Sequence, residues 1–150
     1  MFRKILLPTD GSRHSAEAAR LAAQVAERHE GTVYPLVAVE YQYVTQEELP
    51  EEMAAAITQR IRNRAERALE EAGEKIREAG GRAGEGKIVE APPVDAILGE
   101  AEEGEYDLIV IGSRGVSLDR GHDRLVGSVT ERVLHRAPCP VLVIRAEPRP

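Results

Sequence analysis

At 150 residues, 42% hydrophobic and 31% charged, the chain has the length and balance of one globular domain with a sizeable core. Its formal net charge of −6 lacks the basic footprint of a general nucleic-acid binder. The single cysteine, Cys139, rules out an intramolecular disulfide framework and a cysteine-based metal site.

From Met1 the sequence runs directly into a strand-like stretch without a signal-peptide pattern. No apolar segment reaches the ~20 residues of a membrane span. A cytoplasmic protein with neither membrane nor nucleic-acid partners is expected, folded as one domain over residues 1–146 with a frayed tail at 147–150.

Ile5-Leu6-Leu7 reads as a buried strand that Pro8 ends, because proline cannot donate to a central ladder. Thr9-Asp10-Gly11-Ser12 is a turn able to cap the following helix. That helix carries Ser15, Ala18, Ala22, Val25 and Ala26 on one face, with its stop placed at Gly31. Val33–Val39 is the second strand, and Pro35 within it predicts an edge or a bulge on its side. Tyr41–Pro50 reads as a loop. A long helix follows from Glu51, with Met53, Ile57, Ile61, Ala65, Leu69, Ala72, Ile76 and Ala79 at helical spacing.

Beyond Gly80-Gly81 comes a weak third strand whose clearest part is Lys87-Ile88-Val89. Pro92-Pro93 opens a short helix with Val94, Ile97, Leu98 and Ala101 on one face. Leu108–Ile111 is a fourth, buried strand that stops at Gly112. Gly127-Ser128 then precedes a helix, and Val141–Ile144 forms a fifth strand.

Strands alternating with helices predict an α/β, doubly wound, five-stranded parallel sheet with helices on both faces. In that class ligands sit beyond the strand C-termini where strand order reverses. If the first and fourth strands are neighbours there, Pro8-Thr9-Asp10 faces Gly112-Ser113-Arg114-Gly115 across one crevice. Strand, glycine loop and helix start in that order suit a phosphate, which the backbone can approach closely and the helix N-terminus attracts. Ordinary capping fits the same residues, since Ser128 with Glu131 has the capping-box pattern.

These residues together resemble the universal stress proteins over essentially the whole chain. The resemblance is carried by Pro8-Thr9-Asp10-Gly11-Ser12, Asp107–Ile111, Gly127–Val133 and Ala137–Ile144. It implies strand order 3-2-1-4-5 in an adenine-nucleotide alpha-hydrolase-like fold. Family members that bind ATP resemble a pattern of glycine, two residues, glycine, nine residues, then glycine and a serine or threonine. Gly112, Gly115, Gly127 and Ser128 fill that pattern, with eleven residues, Val116 to Val126, in place of nine. The extra pair is assigned to Asp119–Arg124.

By matching position, the resemblance implies that Pro8, Thr9, Asp10 and Val39 border adenine and ribose. Ile111, Gly112, Arg114 and Gly115 form the opposite lip. The phosphates lie against Gly127, Ser128, Val129 and Thr130. The implied ligands are ATP, ADP or AMP, with Mg²⁺ held mainly by the phosphates; Asp10, acceptor-only, reads as a partner for ribose hydroxyls or for that Mg²⁺. Arg120 and Arg124 read as exposed arginines offset by Asp119 and Asp123, and His122 as an exposed histidine. No catalytic base stands out, and neither a Walker lysine loop nor a GxGxxG follows any strand.

The function implied is a nucleotide-binding stress or signalling protein, at most a slow ATPase. A nucleotide-free dimeric scaffold and, more remotely, an adenylating enzyme of related fold remain alternatives. A homodimer through the edge strand Val141–Ile144 is expected under the first two readings.

Overall fold

In a computed structural model, residues 1–41, 48–113 and 126–145 are described. Most of the loop 41–50, the residues Arg114, Gly115 and Asp119–Arg124, and the tail 147–150 lie outside them. The elements run β1 (Lys4–Pro8), α1 (Arg13–His29), β2 (Thr32–Val39), α2 (Glu51–Glu78), β3 (Arg82–Ala83), β4 (Lys87–Glu90), α3 (Pro93–Glu103), β5 (Leu108–Gly112), α4 (Ser128–Arg136) and β6 (Val141–Ile144).

All pairings in the sheet are parallel, in the order β3-β2-β1-β5-β6, with β4 also on β2. This is the expected 3-2-1-4-5 sheet with its third strand in two pieces, so the strands among the described residues number six. The break falls at Gly84-Glu85-Gly86. A Cβ on Gly84 would lie 2.4 Å from the Tyr34 ring, so the backbone hugs that ring where it leaves the ladder.

Pro35 explains the break from the other side. Along a parallel strand, successive residues direct their N–H and C=O to alternate neighbours. The Thr32 N–H donates to the Arg3 carbonyl and the Leu36 carbonyl accepts from Thr9, so even-numbered residues of β2 face β1. Gly84 and Ala91 donate to Val33 and Val39, so odd-numbered residues face the outer strand. Pro35, lacking an N–H, therefore meets the outer side where no strand continues.

Side chains alternate in the same way and sort the core onto two faces. Ile5, Leu7, Val33, Leu108 and Val110 pack under α1, whose Ala18, Ala19, Ala22, Ala23 and Ala26 are fully buried. The stripe is thus the alanines, with Val25 only half-buried at its margin. Leu6, Leu36, Ile109 and Ile111 pack on the opposite face against Ile97, Ala101 and Val133 of α3 and α4.

Two expected details differ. The left-handed residue closing α1 is Glu30 (φ 55°), not Gly31, whose N–H donates to the Ala26 carbonyl at 2.8 Å. The stripe expected along α2 is buried only from Ala65 to Ile76, and Met53 is 51% exposed. Geometry accounts for this: 28 helical residues span about 42 Å, against about 26 Å for the eight-residue β2 beneath them. The first turns of α2 overshoot the sheet.

Candidate functional site

A cavity of about 220 Å³ opens at the C-terminal ends of the strands, on the face covered by α3 and α4. Pro8, Thr9 and Asp10 leaving β1 form one wall, and Ile111 and Gly112 ending β5 form the other. β1 and β5 are adjacent, and chain order reverses between them. This is the crevice a doubly wound sheet leaves for a ligand.

The Asp10 turn is held by its own side chains. Asp10 Oδ1 accepts from the Ser12 N–H at 2.9 Å and from the Ser15 hydroxyl at 2.7 Å. The Asp10 N–H donates to Ser15 Oγ at 3.2 Å. Ser12 is the N-cap of α1, its Oγ accepting from the Ser15 N–H at 3.3 Å. Gly11 takes the left-handed conformation (φ 80°) that lets the chain double back here.

The start of α4 is tied to the ends of β5 and β6. The Gly127 N–H donates to the Ser113 carbonyl at 2.6 Å, and the Ser113 N–H to the Ile144 carbonyl at 2.8 Å. The N-cap is Gly127 and Ser128 is the first helical residue, so the capping box expected from Ser128 and Glu131 does not form. A glycine cap supplies no side-chain acceptor, which leaves the first helical N–H groups directed out of the helix end. The Thr130 hydroxyl donates to the Gly112 carbonyl at 2.8 Å. Its one proton is committed there, so Thr130 clamps α4 to β5 and cannot also donate to an anion.

Of the residues expected at the site, Pro8, Thr9, Asp10, Ile111, Gly112, Gly127, Val129 and Thr130 line the cavity. Ser128 is exposed at the start of α4 and is not part of the lining. Val39 is out of phase: its side chain is buried among Val37, Ala65 and Ala68 on the α2 face. Ala38 and Leu36, one step along the alternation, line the cavity in its place. Arg114 and Gly115 lie outside the described residues.

Ser15, Pro93 and Ile97 also line the cavity and were not singled out by sequence. Pro93 begins α3, whose cap is Pro92, with no side-chain hydrogen bond at that end. Two successive prolines remove two N–H donors from this helix start, and Ile97 one turn on adds apolar surface. The cavity therefore has an apolar end at α3 and a donor-rich end at α4.

Cys139 sits away from this cavity. Burial, and secondarily the negative Asp107, pushes its thiol above the ordinary cysteine range, which disfavours a reactive thiolate. Among the described residues no helix is long and apolar enough to cross a membrane.

With this geometry in view, comparison with known proteins is decisive for kinship. The sequence matches the universal stress protein family over residues 1–145. The chain belongs to that family. It is 35% identical over 147 residues to the universal stress protein MJ0531 of Methanocaldococcus jannaschii, covering 97% of this chain and 83% of that one. Among solved structures, this universal stress protein superposes on the hypothetical protein MJ0577 with a TM-score of 0.81, at 26% identity and 99% coverage of both chains. It also superposes on a universal stress protein solved in complex with cAMP, with a TM-score of 0.70, at 27% identity and 97% and 98% coverage.

Proposed function

We propose that this universal stress protein binds an adenine nucleotide, ATP or AMP, in the crevice between β1 and β5. Its nucleotide-bound state would then carry a stress-response or signalling role. The observation that carries the reading is the polarity of the cavity, apolar at Pro93 and Ile97 and, past the Gly127 cap, facing the uncapped backbone N–H groups of the first turn of α4. A flat aromatic base suits the first end and phosphate the second.

Ala38 supports adenine. Its N–H and carbonyl point toward the β1 side, beyond the last residue of that strand. Among the described residues, no turn or loop bond takes them up. A strand donor and acceptor side by side match the ring nitrogen and exocyclic amine of adenine. The relative solved with cAMP is in keeping with this reading.

Asp10 is the one carboxylate among the described lining residues. Among the described residues no cluster of three or more metal-ligating side chains exists. Mg²⁺ would therefore be held by the nucleotide's own phosphates, which leaves the Asp10 carboxylate to the sugar hydroxyls. Titrating Mg-ATP calorimetrically into protein freed of nucleotide is expected to give saturable heat at about one nucleotide per chain. No heat from folded protein at high micromolar ATP would reject the reading and favour a scaffold without nucleotide.

We also propose a homodimer through β6. It is the edge strand beyond β5, and Leu142 on it and Leu134 on α4 are 38% and 44% exposed. An uncovered apolar edge is an aggregation liability unless a partner strand pairs with it. Light scattering is expected to give twice the 16.4 kDa chain mass, and Leu142→Lys to return the monomer mass. A monomer for the unsubstituted chain at micromolar concentration would reject the dimer.

A further inference from the structure

The Asp10 turn holds a further role, which rests on the adenine-nucleotide reading. Ser15 lies in the first turn of α1, and its hydroxyl touches both the carboxylate and the backbone N–H of Asp10. Assigning the protons fixes the direction of each bond. The Asp10 carboxylate can only accept, so the 2.7 Å contact uses the Ser15 proton. The 3.2 Å contact between the two serine hydroxyls must then use the Ser12 proton, making Ser15 Oγ an acceptor from Ser12 and from the Asp10 N–H. Every polar atom of Ser15's side chain is thereby committed to the turn.

The base of this arrangement is rigid. α1 is pinned to the sheet by five fully buried alanines, beginning at Ala18. Ser15 therefore holds the Asp10 carboxylate from a fixed platform, although Asp10 itself is exposed at the cavity wall. An acceptor-only group there repels bare phosphate and selects hydroxyl donors. In a nucleotide those belong to the sugar, since the exocyclic amine of the base is directed to Ala38.

We propose that Ser15 is a positioning residue of this site, orienting the Asp10 carboxylate onto the vicinal hydroxyls of a ribose. The site thereby prefers ribonucleotides to nucleotides lacking both hydroxyls. Ser15 acts through Asp10 and need not touch the sugar.

The test titrates ATP and 2′,3′-dideoxy-ATP into the full chain and into Ser15→Ala and Ser15→Thr. The original chain is expected to bind ATP about tenfold tighter than the dideoxy analogue, the size of one hydrogen bond to a charged group. Ser15→Ala is expected to lose about tenfold for ATP and less than about threefold for the analogue, erasing the preference. Ser15→Thr keeps the hydroxyl and is expected to restore it. Should Ser15→Ala fold poorly, Ser15→Val beside Ser15→Thr makes the same comparison at equal size. Equal losses for both nucleotides, or none for either, would overturn the positioning role while nucleotide binding stands. A chain that binds neither nucleotide overturns the nucleotide reading and this inference with it.

Discussion

Gly31→Ala is expected to lower the free energy of unfolding by about 3 kcal/mol, although it adds a single methyl group. The position is not left-handed; Glu30 carries that turn, so backbone strain is not the cause. The cause is steric. A Cβ at Gly31 would lie 2.4 Å from the Phe2 carbonyl oxygen and 3.0 Å from the Arg3 Cα, both backbone atoms leading into β1. That backbone cannot step aside. The Arg3 carbonyl accepts from Thr32 at 2.8 Å, and the Asp107 carboxylate accepts from the N–H groups of Arg3 and Lys4.

Gly99→Ala gives the contrast. Nothing lies within 4 Å of a Cβ there, and the residue is inside α3. Reduced backbone entropy of the unfolded chain is expected to stabilise this variant by about 0.5–1 kcal/mol. Urea midpoints at unchanged slope read both effects. A Gly31→Ala midpoint within error of the original would mean that α1 enters β2 farther from β1 than described.

Much of this architecture was legible because alternating strands and helices leave few topologies open. Pro8 ending a strand and Gly112 ending another placed Asp10 opposite Gly112 across one crevice. What could not be read was phase. Val33-Tyr34-Pro35-Leu36-Val37-Ala38-Val39 is apolar throughout because both faces of β2 are covered, so the run does not reveal which alternate residues face α2 and which face the cavity. Val39 and Ala38 were therefore indistinguishable by pattern.

Ser15 was hidden for a different reason. A serine in a helix's first turn is ordinary, and its bond back to Asp10 exists only because Gly11 folds the turn onto it. Pro93 and Ile97 read correctly as a helix start and an apolar face, but which layer that face covers is decided by the crossover. The third strand read as weak from sequence, but its break at Gly84 is explained only by the Tyr34 ring packed against that glycine and by Pro35 opposite the gap.

The phase of β2 has a functional consequence that two adjacent substitutions separate. Ala38→Phe is expected to weaken ATP binding by about a hundredfold or more, roughly 2.7 kcal/mol, because its ring would occupy the cavity rather than the core. Its effect on stability is expected to stay within about 1 kcal/mol, since the added atoms enter open space. Val39→Ala is expected to do the reverse. The Val39 side chain is 5% exposed and packs with Val37, Ala65 and Ala68, so truncation leaves a void worth about 2 kcal/mol of stability. Its backbone bond from the Ala91 N–H to the Val39 carbonyl, 3.0 Å, is untouched, so ATP affinity is expected to change by less than about threefold. Calorimetric titration and urea unfolding of both variants decide the matter. Loss of affinity in Val39→Ala with binding preserved in Ala38→Phe would mean that β2 presents its other face to the ligand. Loss in Ala38→Phe alone would tie nucleotide binding to the α3–α4 side of the sheet and to the polarity between Pro93 and Gly127.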